Sequence, residues 1–204
     1  MTRERLLQFD ALKSFAIFLV IYGHCIQYLL STNYTDEIIY LIVYSFHMPL
    51  FMMLSGFFAY SAMERPFLSS IYIKARQLLL PLCTVCLLAS TIHFLNFTAE
   101  DNFIKSFFNK FCTSLWFLKT AFSCFVFSKI VFWFIKLPFI SNNKCLKLFI
   151  LIISIIITQI IPFLNTNIKY FTVNIGTMYL AFIIGLFIKK HWDTLMETSI
   201  PVST

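Results

Sequence analysis

The sequence predicts an all-α protein, a polytopic transmembrane helix bundle of about six spans, and three observations carry that prediction. Hydrophobic residues make up 59% of the 204 positions and charged residues only 12%, which leaves too few polar groups to clothe a water-soluble domain. The mean hydropathy of +0.82 is concentrated in runs long enough, at about 1.5 Å per residue, to cross a hydrocarbon core about 30 Å thick. The formal net charge of +7 comes from basic residues scattered between those runs rather than massed on one segment. That distribution argues against nucleic acid as a partner and for topology signals in a lipid bilayer.

Taken in order, the runs are Ser14–Leu30, Ile38–Tyr60, Leu78–Leu95, Leu115–Ile135, Leu146–Leu164 and Tyr170–Ile188. Arg3 and Arg5 precede the first run as they would in a secretory signal, but Asp10 and Lys13 interrupt the approach and no small-residue cleavage pattern follows. An uncleaved first span is expected. Arg65, Lys74 and Arg76 follow the second run, Lys136, Lys144 and Lys147 the fourth, and Lys189 and Lys190 the sixth, whereas the alternate connections are acidic or mixed. The bias predicts both termini on the cytoplasmic side of a cell membrane, the bacterial inner membrane being the expected one. No repeat or Gly/Ser-rich linker divides the chain, so residues 1–204 read as one membrane-embedded domain whose last stretch, 191–204, is a polar tail.

Four of the six cysteines (Cys25, Cys83, Cys86 and Cys124) fall inside apolar runs, and no disulfide framework is evident. Cys83 and Cys86 form a lone C-x-x-C without a preceding strand or a second pair; membrane packing is the expected role, and no metal is expected.

The first run is the chemically informative one, since it carries Lys13 and His24 in a helix that otherwise suits lipid. Eleven residues separate them, and eleven steps of about 100° return to nearly the same face some 16 Å further along. Asp10, three residues before Lys13, and Gln27, three after His24, extend the polar line. Inserting an ionisable group into a span costs roughly 2.5–3.5 kcal/mol, so an intramembrane functional site is one reading. The other is a Lys13 that snorkels to the headgroups and a His24 that bonds a neighbouring helix. In the second run, Pro49 follows His47 by two residues and loosens the helical ladder around Ser45. His47 and His24 then lie at similar depths below the outer surface. A site shared by the two imidazoles and a Pro-interrupted packing helix both fit that spacing.

Four segments in this order, FDALKSFAIFLVIYGH, FHMPLFMMLSGFF, KARQLLLP and SLWFL, resemble the N-terminal part of the integral-membrane acyltransferase 3 family, most closely its fucose and exopolysaccharide O-acetyltransferase branch. The likeness runs from Gln8 to Phe122. It implies transfer of an acetyl group from acetyl-coenzyme A, as acyl-donor substrate, to a hydroxyl of a sugar or polysaccharide acceptor. The family's catalytic histidine falls on His24 and the histidine of its F-H-M-P-L-F motif on His47. The family's partner eleven residues before the catalytic histidine is usually arginine and here is Lys13, which keeps the charge and loses the bidentate fork. Lys74 and Arg76 match its basic inner loop before the third helix, a coenzyme-binding position; Trp116 matches the W-F-L turn, and Asp10 supports Lys13. Family members usually have more spans than are read here, so the bundle is expected to be partial, with a homodimer one way of completing it. An inactive truncated remnant, or a small transporter with His24 and His47 lining a polar path, stands as the alternative.

Overall fold

A computed structural model describes residues 7–30, 38–96, 102–113, 115–164 and 169–192; Arg3, Arg5 and the tail from 193 onward lie outside them. The elements are α1 (Leu7–Leu30), α2 (Ile38–Met63), α3 (Phe67–Asn96), α4 (Phe103–Thr113), α5 (Trp116–Ile135), α6 (Pro138–Ser141), α7 (Lys144–Leu164) and α8 (Lys169–Lys190), and no strand occurs among the described residues. Four of these helices, α1, α2, α3 and α5, are long and apolar enough to cross a membrane. The remaining two apolar runs form α7 and α8, of 21 and 22 residues. The protein is therefore an all-α, polytopic helical one. A bilayer demands this, because it offers no water to backbone groups left outside a helix.

Two boundaries differ from the sequence reading. The third helix begins at Phe67, not Leu78, so Lys74 and Arg76 are helical residues and not part of a loop. Pro66 supplies the break just before Phe67, accepting the bond from Ser70 N–H at 3.0 Å, and nothing between Phe67 and Leu78 interrupts the helix. The second difference is α4, which hydropathy alone does not reveal. Its FIKSFFNKFCT sequence is amphipathic rather than uniformly apolar, the pattern of a helix lying along a membrane surface.

The chain divides into two compact units, Met1–Phe58 with Ala181–Thr204, and Ala59–Leu180. In the first, α1 packs through Phe9, Ala16 and Gly23, buried residues spaced seven apart. A Cβ on Gly23 would stand 3.7 Å from Val43 Cγ1 of α2, ordinary contact distance. The crossing of α2 with the end of α8 is much closer: a Cβ on Gly56 would lie 2.0 Å from the Phe182 carbonyl oxygen, and one on Gly185 1.9 Å from that of Met53. Each glycine receives the other helix's backbone, the small-residue packing that lipid-embedded helices use in place of a hydrophobic driving force. Phe9, Leu50, Leu54 and Phe57 complete the core beside it.

The second unit is packed with hydroxyls and small side chains. Ser70 and Ser90 of α3, Thr120, Cys124 and Ser128 of α5, Ser154 and Thr158 of α7 and Tyr179 of α8 are all buried. The hydroxyls of Ser70, Thr120, Ser154 and Thr158 return bonds to their own helices, as Ser154 Oγ does to the Leu151 carbonyl at 2.7 Å. Between helices, Tyr179 OH and Ser154 Oγ lie 3.3 Å apart, and Gln159 Nε2 donates to the Gly176 carbonyl at 2.7 Å.

Candidate functional site

The first unit holds the polar line predicted on α1. Lys13 is half-buried and its ammonium is fixed from two sides, 3.8 Å from Asp10 Oδ1 and 3.9 Å above the centre of the Phe58 ring. A cation over an aromatic face contributes about 0.5–2 kcal/mol depending on desolvation. Lys13 is thus held within the unit by Asp10 and Phe58, whatever else its charge does.

His24 lies near the other end of α1 and is exposed. Its Nδ1 is 3.2 Å from Gln27 Oε1, which as an amide oxygen can only accept. Nδ1 therefore carries the proton, and in the neutral ring Nε2 keeps a free lone pair. Gln27 sets the tautomer of a group whose outward nitrogen is the basic one.

His47 is buried, and its Nδ1 donates to the Val43 carbonyl at 2.6 Å. The same logic assigns it the Nδ1–H tautomer. The Tyr44 ring meets it edge-on at 5.1 Å. α2 continues as helix through Pro49, where the missing N–H withdraws the partner of the Ser45 carbonyl. The two imidazoles make no hydrogen bond or ring contact with each other; His24 belongs to an open flank and His47 to the packed interior of its unit.

In the second unit, Lys74 is half-buried with its ammonium 5.8 Å from the Phe125 ring centre, and Arg76 is exposed. Two positions on one helix point about 200° apart, so this pair diverges instead of closing on one point. Trp116 opens α5, its ring edge-on to Phe117 at 6.2 Å. Before it, Leu115 has φ 46° and ψ 43°, the left-handed region that branched side chains seldom occupy. That conformation turns the chain sharply into α5.

Three lysines in this unit carry structural work beyond the charge bias. Lys129, 4% exposed, donates to the carbonyls of Ala62 (3.0 Å), Met63 (2.9 Å) and Arg65 (2.7 Å), capping the negative end of α2. Lys119 donates to Phe111 (2.8 Å) and Cys112 (2.6 Å), doing the same for α4. Lys110 donates to the Ala89 carbonyl of α3. Among the described residues, no three of His, Cys, Asp or Glu gather as a metal site would require.

A polytopic helical protein carrying ordered histidine and lysine side chains on its first two helices is the class that fold and geometry define. An acyltransferase-domain family, acyltransferase 3, matches residues 6–201, and the chain belongs to that family. It is similar to the nodulation protein NolL of Sinorhizobium fredii (27% identity over 203 residues, 95% of this chain and 52% of that protein). It is also similar to the nodulation protein NolL of Mesorhizobium japonicum (40% identity over 96 residues, 45% of this chain and 26% of that protein). The chain thus spans about half the length of the first of these relatives and a quarter of the second. No solved structure matches it.

Proposed function

We propose that the protein is a membrane O-acyltransferase in which His24 is the general base, moving an acetyl group from acetyl-coenzyme A to a hydroxyl of a sugar or cell-surface polysaccharide. The observation that carries the reading is the contact of His24 with Gln27: Oε1, an acceptor, lies 3.2 Å from Nδ1, which directs Nδ1–H to it and leaves Nε2 of the exposed ring able to accept a proton. Family membership supports the reaction class.

The step balances simply. Nε2 of His24 removes the hydroxyl proton as the acceptor oxygen attacks the thioester carbonyl; the carbon–sulfur bond breaks, the thiolate leaves, and the imidazolium returns the proton to it. The products are an ester and a free thiol. Direct transfer of this kind needs the base open to its acceptor, which suits an exposed His24 better than a buried one. A passing acyl-imidazole, formed if Nε2 attacks first, uses the same tautomer. Lys13, fixed by Asp10 and Phe58, supplies a cation on the His24 face, and His47, its Nδ1 committed to Val43, is a positioning group. Arg76, exposed and forked, is the better candidate for a coenzyme phosphate; Lys74 is turned to Phe125. Trp116 has the flat apolar face on which a sugar ring can stack. The orientation that goes with this chemistry has both termini on the cytoplasmic side, where the donor is found.

The test is transfer of label from radiolabelled acetyl-coenzyme A to a crude glycan acceptor by membranes containing the full chain. Transfer abolished by His24→Ala at unchanged protein abundance supports the reading. Transfer equal in wild type and variant, or absent from both across acceptors, sinks it.

A further inference from the structure

The first unit contains a cavity that the proposed reaction does not use. It measures about 200 Å³ and is lined by Phe9 and Leu12 of α1, Met53, Leu54 and Phe57 of α2, and Gly185 and Ile188 of α8, with Trp192 just beyond. Every side chain that lines it is apolar or aromatic. An apolar cavity of about 150 Å³ already takes up a benzene-sized guest, so this one has room for a stretch of alkyl chain. It lies beside the first turns of α1 and the last turns of α8, which ends in Lys189 and Lys190. In a bilayer-spanning protein that level is the headgroup interface, and Trp192 is the residue type that anchors there.

Among the described residues, the charges near the cavity are mostly basic. Lys13 is balanced by Asp10 at 3.8 Å. Lys189, its ammonium 5.3 Å from the centre of the Phe57 ring that lines the cavity, and the exposed Lys190 have no acidic partner among the described residues. His191 lies against Phe187, 4.5 Å between ring centres. An apolar slot with the Lys189 ammonium beside one of its lining rings, and Lys190 next to it in the chain, complements a molecule with an alkyl chain and an anionic head.

The geometry points to a binding site for an anionic glycerophospholipid, one acyl chain lying in the cavity along Leu12, Leu54 and Ile188, beside the packed rings of Phe9, Phe57 and Trp192, and the phosphate resting on Lys189 and Lys190. Basic pockets between helices at a membrane face are where acidic headgroups bind, each lysine near such a surface contributing about 1 kcal/mol. This site stands apart from the His24 base: it lies at the Lys13 end of α1, about 16 Å along the helix from His24, and needs no base.

Trp192 reports on the site directly. The full chain carrying Trp116→Phe and Trp133→Phe, which leaves Trp192 as the sole tryptophan, is reconstituted in phosphatidylcholine vesicles doped with phosphatidylglycerol brominated on its acyl chains, or with equally brominated phosphatidylcholine. Brominated phosphatidylglycerol is expected to quench Trp192 at about a third of the mole fraction that phosphatidylcholine requires. Lys189→Gln with Lys190→Gln should remove that difference, and Leu12→Phe, which fills the slot, should weaken quenching by either lipid. Equal quenching by the two lipids, unchanged by the lysine substitutions, overturns the site. So does an absence of quenching by both, the result expected if a second copy or another protein segment occupies the cavity. Relief of phosphatidylglycerol quenching by inorganic phosphate alone would show an anion site without a lipid chain and equally refute the proposal.

Discussion

Two nitrogens on His24 are told apart by one amide, and most of the chemistry proposed for this chain follows from that. Gln27 fixes the Nδ1 proton, so replacing it should disturb the base without removing it. Gln27→Leu is expected to lower the transfer rate by about tenfold, well short of the 10²–10⁴-fold expected on the order of general-base loss for His24→Ala. Gln27→Glu makes a sharper prediction. A carboxylate beside the ring holds the imidazolium more tightly than the amide does, so return of the proton to the leaving thiolate should slow and the transfer rate should fall below that of Gln27→Leu. Rates unchanged in both variants would remove Gln27 from the mechanism. Lys13 is tested by charge against shape: Lys13→Arg should retain activity and Lys13→Ala lose it, while equal activity in all three would leave Lys13 as a packing residue held by Phe58 and Asp10.

At the scale of the helix, packing without a hydrophobic driving force explains both what the sequence revealed and what it hid. The apolar runs made the helices of the span class legible, because length and hydropathy are set by the bilayer itself. Eleven-residue spacing likewise placed Lys13 and His24 on α1 correctly as a line, but whether that line faces interior or exterior depends on which face α2 takes, and that is decided by Ala16 and Gly23. The rule that singles out Lys13, a charge within an apolar run, applies equally to Lys119 and Lys129. Their role as caps for α4 and α2 was not legible, since the carbonyls they serve are seven or eight residues away along the chain for Lys119 and more than sixty for Lys129. Lys129→Met should therefore destabilise the protein, leaving three carbonyls at the end of α2 short of a donor at roughly 1–3 kcal/mol for each one truly buried, whereas Lys129→Arg should recover part of the loss. Thermal unfolding in detergent separates the three. At the α2–α8 crossing, Gly56→Ala and Gly185→Ala each force a methyl into a carbonyl oxygen 2.0 Å or less away, and backbone cannot step aside as a side chain can. Each should lower the unfolding midpoint more than Gly23→Ala, whose methyl meets Val43 at contact distance.

For the molecule as a whole, the open question is which way it sits in the bilayer, because the donor, the acceptor and the proposed lipid site each require a side. The basic residues Arg65, Lys136, Lys144, Lys147, Lys189 and Lys190 argue for one orientation, with the connections after α2, after α5 and after α8 on the cytoplasmic face. The structure changes how this is best tested. Ser70, in the stretch the sequence reading left as loop, is fully buried in α3 with its hydroxyl bonded to the Phe67 carbonyl at 2.9 Å, so a cysteine there would be silent from either side. Ser69 is exposed and adjacent, and Asn143 is exposed at the head of α7. In a chain whose native cysteines are replaced, single cysteines at Thr35, Ser69 and Asn143 are exposed to a membrane-impermeant maleimide before and after permeabilisation. Thr35 should label in intact cells, and Ser69 and Asn143 only once the membrane is opened. Labelling of Ser69 from outside would invert the map, moving Arg76 away from the cytoplasmic coenzyme and Lys189 and Lys190 to the opposite leaflet. His24 would then sit closer to the donor side than to the acceptor, and the direction of transfer proposed here would fail with it.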